Sequence, residues 1–328
     1  MNLEVFSRER DFRNMTEVGQ SLRKSLFITG ASGFIGRRLL ARLVPQKYDH
    51  IYCLSRSQGA SADSSPAMNV TWLEGGIFDS DRYEQYLDSS MAVVHLAAAT
   101  GKAPAEQYFK VNRDGTQRLI ACCRERRVKK FLHVSSIAAN YRDKSDYHYA
   151  QSKLEAEEVV RKSELNYAIV RPTIVLGRES PGWISLARLA RLSWVPIFGD
   201  GAAQIQPIDV DDLAEALIAL IEQEEFPNES FDLGGPNVLT IEEFLKKIHR
   251  LYHYDEARIV HLPYGPLKWL VARAEALVPS LLPVNAGQLS VFVQDGTITT
   301  NRLYEAQRPH MKDLDTILRT LTADGAAR

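Results

Sequence analysis

The chain has 328 residues, 45% of them apolar and 25% charged, values that exclude a disordered polypeptide and suit one large α/β unit with a smaller appendage. Forty Lys and Arg against 41 Asp and Glu leave a formal charge of −1, which excludes a broadly basic nucleic-acid binder. Three cysteines (Cys53, Cys122 and Cys123) show no CxxC spacing, and no HExxH or EF-hand loop occurs, so neither a disulfide framework nor a metal site is expected and a reducing compartment is.

The first 24 residues are charged throughout and lack an apolar h-region, so they read as a polar extension rather than a signal peptide, with Met15 as an alternative start. Leu26–Thr29 (LFIT) is a compact apolar run that stops at a glycine, after which Phe34, Ile35, Leu39, Leu40 and Leu43 recur at helical spacing. Further strand-like runs follow: IYCL, VTWL, AVVHLA, FLHVSS and YAIVRP. Helical stretches around Asp81–Leu87, Ala105–Arg124 and His148–Lys162 lie between some of them. This alternation predicts an α/β fold with a doubly wound parallel sheet, whose strands are apolar on both faces. The expected boundaries are a dinucleotide-binding domain over 25–175, rejoined by 205–235, and a smaller substrate-binding domain from 176–204 and 236–328. GRESPGW and VPIFGDGAAQIQP read as loops bordering a cleft. Asp212 with Glu215, and Thr240 with Glu243, each have capping-box spacing ahead of an apolar periodic run.

Gly30, Gly33 and Gly36 follow the first strand and open the first helix as G-x-x-G-x-x-G, one residue longer in its first gap than the usual dinucleotide fingerprint. Glycines there let the backbone turn tightly and approach a pyrophosphate, which rests on the positive end of the helix. Ser32, Phe34 and Ile35 belong to the same turn. Where an acidic residue would bind the ribose hydroxyls of NAD, the second strand ends in Ser55-Arg56, with no carboxylate before Asp63. An arginine suits a 2′-phosphate, so NADP is expected over NAD, with Arg37 as a helper.

Tyr149 and Lys153 are four apart at the start of a helical run and project from one face. An ammonium beside a phenol lowers the phenol's pKa and makes it a candidate general acid or base. Tyr264 and Lys268 repeat the spacing around Pro266, a coincidental match. Ser135 and Ser136 end the strand FLHVSS thirteen residues before Tyr149, at the carboxyl edge where such sheets bind ligands. A hydroxyl there can hold a substrate oxygen while the tyrosine moves the proton.

These stretches (TGASGFIG, HLAAAT, VNRDGTQRL, HVSSIAA, YAQSK and RPTIVLG, then QPIDVDDLAEAL and FDLGGPNVLTIEEF) resemble the extended short-chain dehydrogenase/reductase family, the NAD(P)-dependent epimerase/dehydratase group. The resemblance implies a Rossmann fold in which Ser136 positions the substrate oxygen, Tyr149 is the acid/base and Lys153 holds the nicotinamide ribose. It places Leu96, Ala97 and Ala98 along the ribose-pyrophosphate, Ile77 near the adenine, Asn112 at the family's helix asparagine, and Pro172 to Ile174 beside the nicotinamide. Gly75-Gly76-Ile77 departs from the family's Gly-Asp-apolar pattern, which puts one adenine contact in doubt. The late segment also resembles the atypical branch containing the 39-kDa accessory subunit of respiratory complex I. The activity so implied is NADP-dependent reduction of a carbonyl or oxidation of a secondary alcohol on a small-molecule substrate. A nucleotide-sugar epimerase or dehydratase, or a dinucleotide-binding scaffold without turnover, are the alternatives. Helix-paired homodimers are frequent in such families.

Other features read structurally. Arg124, Arg126, Arg127, Lys129 and Lys130 complete a helix C-terminus, His95 is a strand residue, and Asp209, Asp211 and Asp212 cap a helix. The apolar stretch with Trp269, Leu270, Leu277, Leu281 and Leu282 reads as a core helix, with a lid or membrane-surface contact as alternatives. It carries Lys268, Arg273, Glu275 and two prolines, so no transmembrane segment is expected and the protein should be soluble and cytoplasmic.

Overall fold

The computed structural model describes residues 24–56, 69–253, 255–277 and 287–322. Strands β1 (Lys24–Thr29), β2 (Tyr48–Ser55), β3 (Val70–Glu74), β4 (Ala92–His95), β5 (Lys130–Val134), β6 (Asn166–Pro172) and β7 (Glu229–Leu233) form one sheet in the order β7-β6-β5-β4-β1-β2-β3. Every pairing in it is parallel.

The continuous apolar runs are explained by two cores. Along β1, Leu26 and Ile28 face one core while Phe27 faces the other. Ala92 and Val94 split from Val93 in β4, as Ala168 and Val170 split from Ile169 in β6. Period-two side chains buried on both faces must all be apolar. Helices α1 (Phe34–Arg42) and α4 (Val210–Ile221) cover the first face through Leu39, Leu40, Leu213 and Leu217. Helix α2 (Gly115–Glu125) covers the second through Leu119, Ile120 and Cys123, joined by Val160 of α3 (His148–Arg161). The chain reverses direction across the sheet between β1 and β4. Both strands end at the same edge there, opening the crevice that such topologies use for ligands.

A second apolar cluster joins Trp183, Leu186, Val195 and Ile197 to Phe244, Leu245 and Ile248, with Ile317 and Leu318 from the last helix. Trp194–Phe198 pairs in parallel with Arg258–Leu262. Leu303 and Tyr304, in contrast, pack back into the core under β7.

Sequence and structure differ at two elements. Thr240 and Glu243 make the expected reciprocal box, Thr240 N donating to Glu243 Oε2 at 2.8 Å and Glu243 N to Thr240 Oγ1 at 3.1 Å, at the head of α5 (Ile241–His253). The Asp212–Glu215 box does not form. Asp209 caps α4 by accepting from Asp211 N at 2.9 Å, while Asp212 accepts from Lys312 N and Glu215 reaches Arg42. The helix α6 (Tyr264–Leu277) is not a core helix: Trp269 and Leu270 are 62% and 58% exposed, and Lys268 pairs with Asp146. Leu281 and Leu282 lie outside the described residues, as do the first 23. Among the described residues no helix is long and apolar enough to cross a membrane.

The location of the cap is testable by urea denaturation. Asp209→Ala should cost about 1–2 kcal/mol of stability, as the loss of an N-cap does. Glu215→Ala, which removes only an exposed ion pair, should cost about 0.5 kcal/mol or less.

Candidate active site

Gly30 adopts φ +70°, and a Cβ built on it would lie 2.7 Å from the Ala97 nitrogen, so only glycine lets the first turn lie against the loop after β4. Gly36 is equally confined, its Cβ position being 2.3 Å from the Gly30 oxygen. Gly33 is different. It is exposed, its N–H closes the turn on the Gly30 carbonyl at 3.0 Å, and it precedes α1 with no side-chain cap. The free N–H groups of Phe34 and Ile35 therefore open towards the crevice at a helix N-terminus with no acidic residue in its first turn. This cradle fits a dinucleotide pyrophosphate. Leu96, Ala97 and Ala98 form its half-buried opposite wall, fixed by Thr29, whose carbonyl accepts from Leu96 N and whose hydroxyl accepts from Ala97 N.

At the end of β2, Ser55 Oγ donates to Ser32 Oγ at 3.0 Å and Arg56 is exposed beside them. Arg37 does not join them. Its guanidinium pairs with Glu179, because α1 lies under the 177–179 turn and Phe34 fills the space against Gly177. Ile77 is buried against Gly115, and its carbonyl accepts from Tyr83. Asp79 occupies the neighbourhood of the missing family aspartate, accepting from Gly76 N at 2.7 Å.

Ser136 caps the turn Ile137–Asn140, accepting from Ala138 N at 3.2 Å, and Tyr149 packs against the Ile137 and Ala138 side of that turn. Tyr149 is packed between the rings of Tyr108 and Tyr147, with centroids 6.0 and 5.7 Å away. Burial pushes its phenol above the ordinary tyrosine range, and the Ser136 hydroxyl pulls it back. The expectation that Lys153 sets the phenol's acidity is not what the geometry shows. Lys153 is buried, and its Nζ donates to the Val134 carbonyl at 2.8 Å. Desolvation lowers this ammonium to about 8, with Glu157 opposing. Two buried imidazoles lie near it. His95 is held between Thr29 and Thr116 and lowered to about 3 by burial, and the His133 ring lies tilted against it, 5.3 Å between centroids, with neither ring nitrogen hydrogen-bonded. Both stay neutral, so they add no positive charge against Lys153.

Asn112 spends its whole amide internally. Its oxygen accepts from Ala99 N at 2.7 Å, and its nitrogen donates to Ala99 O and to Ser152 Oγ. It sits in a π-helical segment, Phe109–Asp114, that widens the helical run 105–125 at that point. Its geometry ties the loop after β4 to the Tyr149 helix. Pro172 is buried at the end of β6 and Ile174 is half-buried just beyond it.

Sequence reasoning missed Glu157 and Arg171. Glu157 is fully buried on α3, four residues past Lys153. Arg171 Nε and Nη2 grip its two oxygens at 2.7 and 2.6 Å, and Arg161 adds a third bond at 2.6 Å. Burial opposes the Glu157 charge, but its arginine partners hold the carboxyl below the usual range. The available signal was a carboxylate on the same helical face as Tyr149 and Lys153.

The motifs of this edge extend over most of the chain, and residues 26–234 match the NAD dependent epimerase/dehydratase family. The chain belongs to that family. Among its relatives, the mitochondrial NADH dehydrogenase (ubiquinone) 1 alpha subcomplex subunit 9 of Arabidopsis thaliana is 22% identical over 303 residues, 88% of this chain and 73% of that protein. The UDP-glucose 4-epimerase of Vibrio cholerae is 25% identical over 253 residues, 69% and 75% of the two chains. The crystal structure of the dTDP-glucose 4,6-dehydratase DesIV of Streptomyces venezuelae, with NAD and TYD bound, superposes with a TM-score of 0.60 at 23% identity. The match covers 72% of this chain and 84% of that one. As an epimerase/dehydratase family member, the chain has the doubly wound fold its sequence predicts, within a family of NAD-dependent enzymes.

Gly33→Val tests the cradle directly. Dinucleotide binding, followed by fluorescence titration with NADPH, should weaken by about tenfold or more, equivalent to about 1.4 kcal/mol. Gly33 has φ −76° and its Cβ position is 3.1 Å from the Gly30 oxygen, looser than the 2.3 Å at Gly36, so the thermal melt should fall less than that of Gly36→Val.

Proposed function

We propose that this family member is an NADP-dependent oxidoreductase that interconverts a carbonyl and a secondary alcohol on a small-molecule substrate, with Tyr149 as the acid/base. The observation that carries this reading is the packing of Tyr149 against the turn that Ser136 caps, at the sheet edge that also holds the glycine cradle. The preference for NADP rests on the exposed Arg56 at the end of β2, next to the Ser32–Ser55 pair, where a 2′-phosphate would gain a charge-assisted bond.

In this reading Gly30, Ser32, Gly33 and the N–H groups of Phe34, Ile35 and Gly36 hold the pyrophosphate. Leu96 to Ala98 line its other side, and Ile77 borders the adenine. Lys153 holds the nicotinamide ribose, with Pro172 and Ile174 against the ring, and Asn112 steadies the wall that faces them. The dinucleotide, when bound, supplies or accepts the hydride. Ser136 donates a hydrogen bond to the substrate oxygen. Tyr149 delivers a proton to that oxygen in reduction and removes it in oxidation. The Tyr108 and Tyr147 rings exclude water from the phenol, which strengthens both interactions.

A nucleotide-sugar epimerase or dehydratase is the second reading, favoured by the likeness to the Vibrio cholerae epimerase. It differs in returning its hydride, so no net change in nicotinamide absorbance accompanies turnover. Screening carbonyl compounds and alcohols at 340 nm distinguishes the two. Net oxidation of NADPH supports the oxidoreductase, whereas sugar-nucleotide conversion without absorbance change supports the epimerase.

Against an active substrate, Tyr149→Phe should lower kcat by about 10²–10⁴-fold with dinucleotide affinity retained. Arg56→Ala should weaken NADPH by about 10–100-fold, the worth of one hydrogen bond to a charged group, and leave NADH nearly unaffected. The pH profile of kcat/KM should fall as pH rises through about 8, where the free enzyme's Lys153 loses its proton. Glu157→Gln removes the charge that raises this value, so the fall should move to lower pH.

A further inference from the structure

The serine and the tyrosine of this site come from different elements, and the structure contains a buried polar chain between them. It begins on α3, where Glu157 lies one turn past Lys153 and two turns past Tyr149. Arg171 of β6 takes both Glu157 oxygens and reaches with Nη1 to Asp232 Oδ1 at 3.2 Å. Arg171 and Asp232 are register partners on the adjacent strands β6 and β7, so the pairing is built into the sheet. Asp232 in turn accepts from Asn140 Nδ2 at 3.0 and 3.2 Å, and Asn140 is the last residue of the turn that Ser136 caps. Asn301 and Thr299 complete the shell of Asp232, through its backbone carbonyl and its second oxygen.

We infer that Arg171, with Glu157, Asp232 and Asn140, is a positioning device that holds the Ser136 turn against the Tyr149 helix, so that Ser136 keeps its place beside Tyr149. The inference rests on the acid/base reading of Tyr149 and extends it to residues that touch neither substrate nor dinucleotide. The chemistry favours such a link. Arg171 grips both the helix and β7, its planar fork fixes direction as well as distance, and Arg161 reinforces the link by bonding Glu157 and Ser230 of β7. An apolar contact would let the helix slide, whereas two buried charge-assisted bonds to one carboxylate do not. The ion chain is also nearly closed. Glu157 is neutralised by Arg171 and Arg161, so the Glu157–Arg171 grip remains intact if the Asn140 end is cut.

Arg171→Met would leave Glu157 and Asp232 buried without their main partner and is prone to misfold. Asn140 is the better target, because it is exposed and lies at the far end of the chain. With Tyr149 replaced by 3-fluorotyrosine, ¹⁹F NMR reads the phenol's own titration without a substrate. The rings of Tyr108 and Tyr147 flank that phenol, and Tyr141 and the Ser136-capped turn pack beside it, with the Ser136 hydroxyl drawing its pKa down against burial. Ser136→Ala should raise the titration midpoint by about 0.5–1 unit. Asn140→Ala should reproduce much of that rise, and Asn140→Asp, which sets a carboxylate against Asp232, at least as much. The thermal melts of the Asn140 variants should stay near the parent's. A parental midpoint in Asn140→Ala, or in Ser136→Ala itself, overturns the inference. Failure to find any carbonyl or alcohol turned over counts against the oxidoreductase reading alone, since this titration needs no substrate.

Discussion

Every strand of the main sheet runs the same way, and that constraint puts the chemistry in one place. With all strands parallel, the segments leaving β1, β4, β5 and β6 emerge at a common carboxyl edge. Those segments carry the glycine turn, the Leu96–Ala98 wall, Ser136 and the Pro172–Ile174 corner. The reversal between β1 and β4 then separates two of them enough to leave a crevice. Thr29 shows how directly the sheet does this, since its carbonyl and hydroxyl anchor the neighbouring loop by two hydrogen bonds.

Below that edge the protein gives its buried charges polar partners. Lys153 gives a hydrogen to a strand carbonyl, Glu157 is held by two arginines, and Asp232 is held by Arg171 and Asn140. The imidazoles of His95 and His133 are kept neutral by the same low-dielectric surroundings. A lone buried ion would unfold such a core or neutralise itself, so each charge comes with its partner. A second ionic cluster works similarly at the opposite side. Lys312 bridges Asp209 and Asp211, and Arg38 and Arg42 also reach Asp211, which fastens α1 to α4 and to the last segment.

The glycine turn and the strand runs were legible because each is a local signal set by a few adjacent residues. Gly30 announces a positive φ, and LFIT announces a strand buried on both faces. Less local features misled. Asp212 and Glu215 have the right spacing for a cap, yet Asp209 takes the role because β-type backbone ends one residue before Val210. Arg37 points by sequence to the dinucleotide, but Glu179, 142 residues away, claims its guanidinium. The apolar stretch around Trp269 reads as core, yet among the described residues nothing covers Trp269 and Leu270.

Alone, the sequence determined the fold class and the family, since periodicity and short motifs encode backbone conformation within a few residues. What only the tertiary structure decided is which group bonds which. Lys153 turns to Val134, Asn112 closes on Ala99 and Ser152, and Arg171 joins Glu157 to Asp232. These bonded partners lie 13 to 61 residues apart, and hydrogen bonds depend on tenths of an ångström that no spacing rule transmits across such separations.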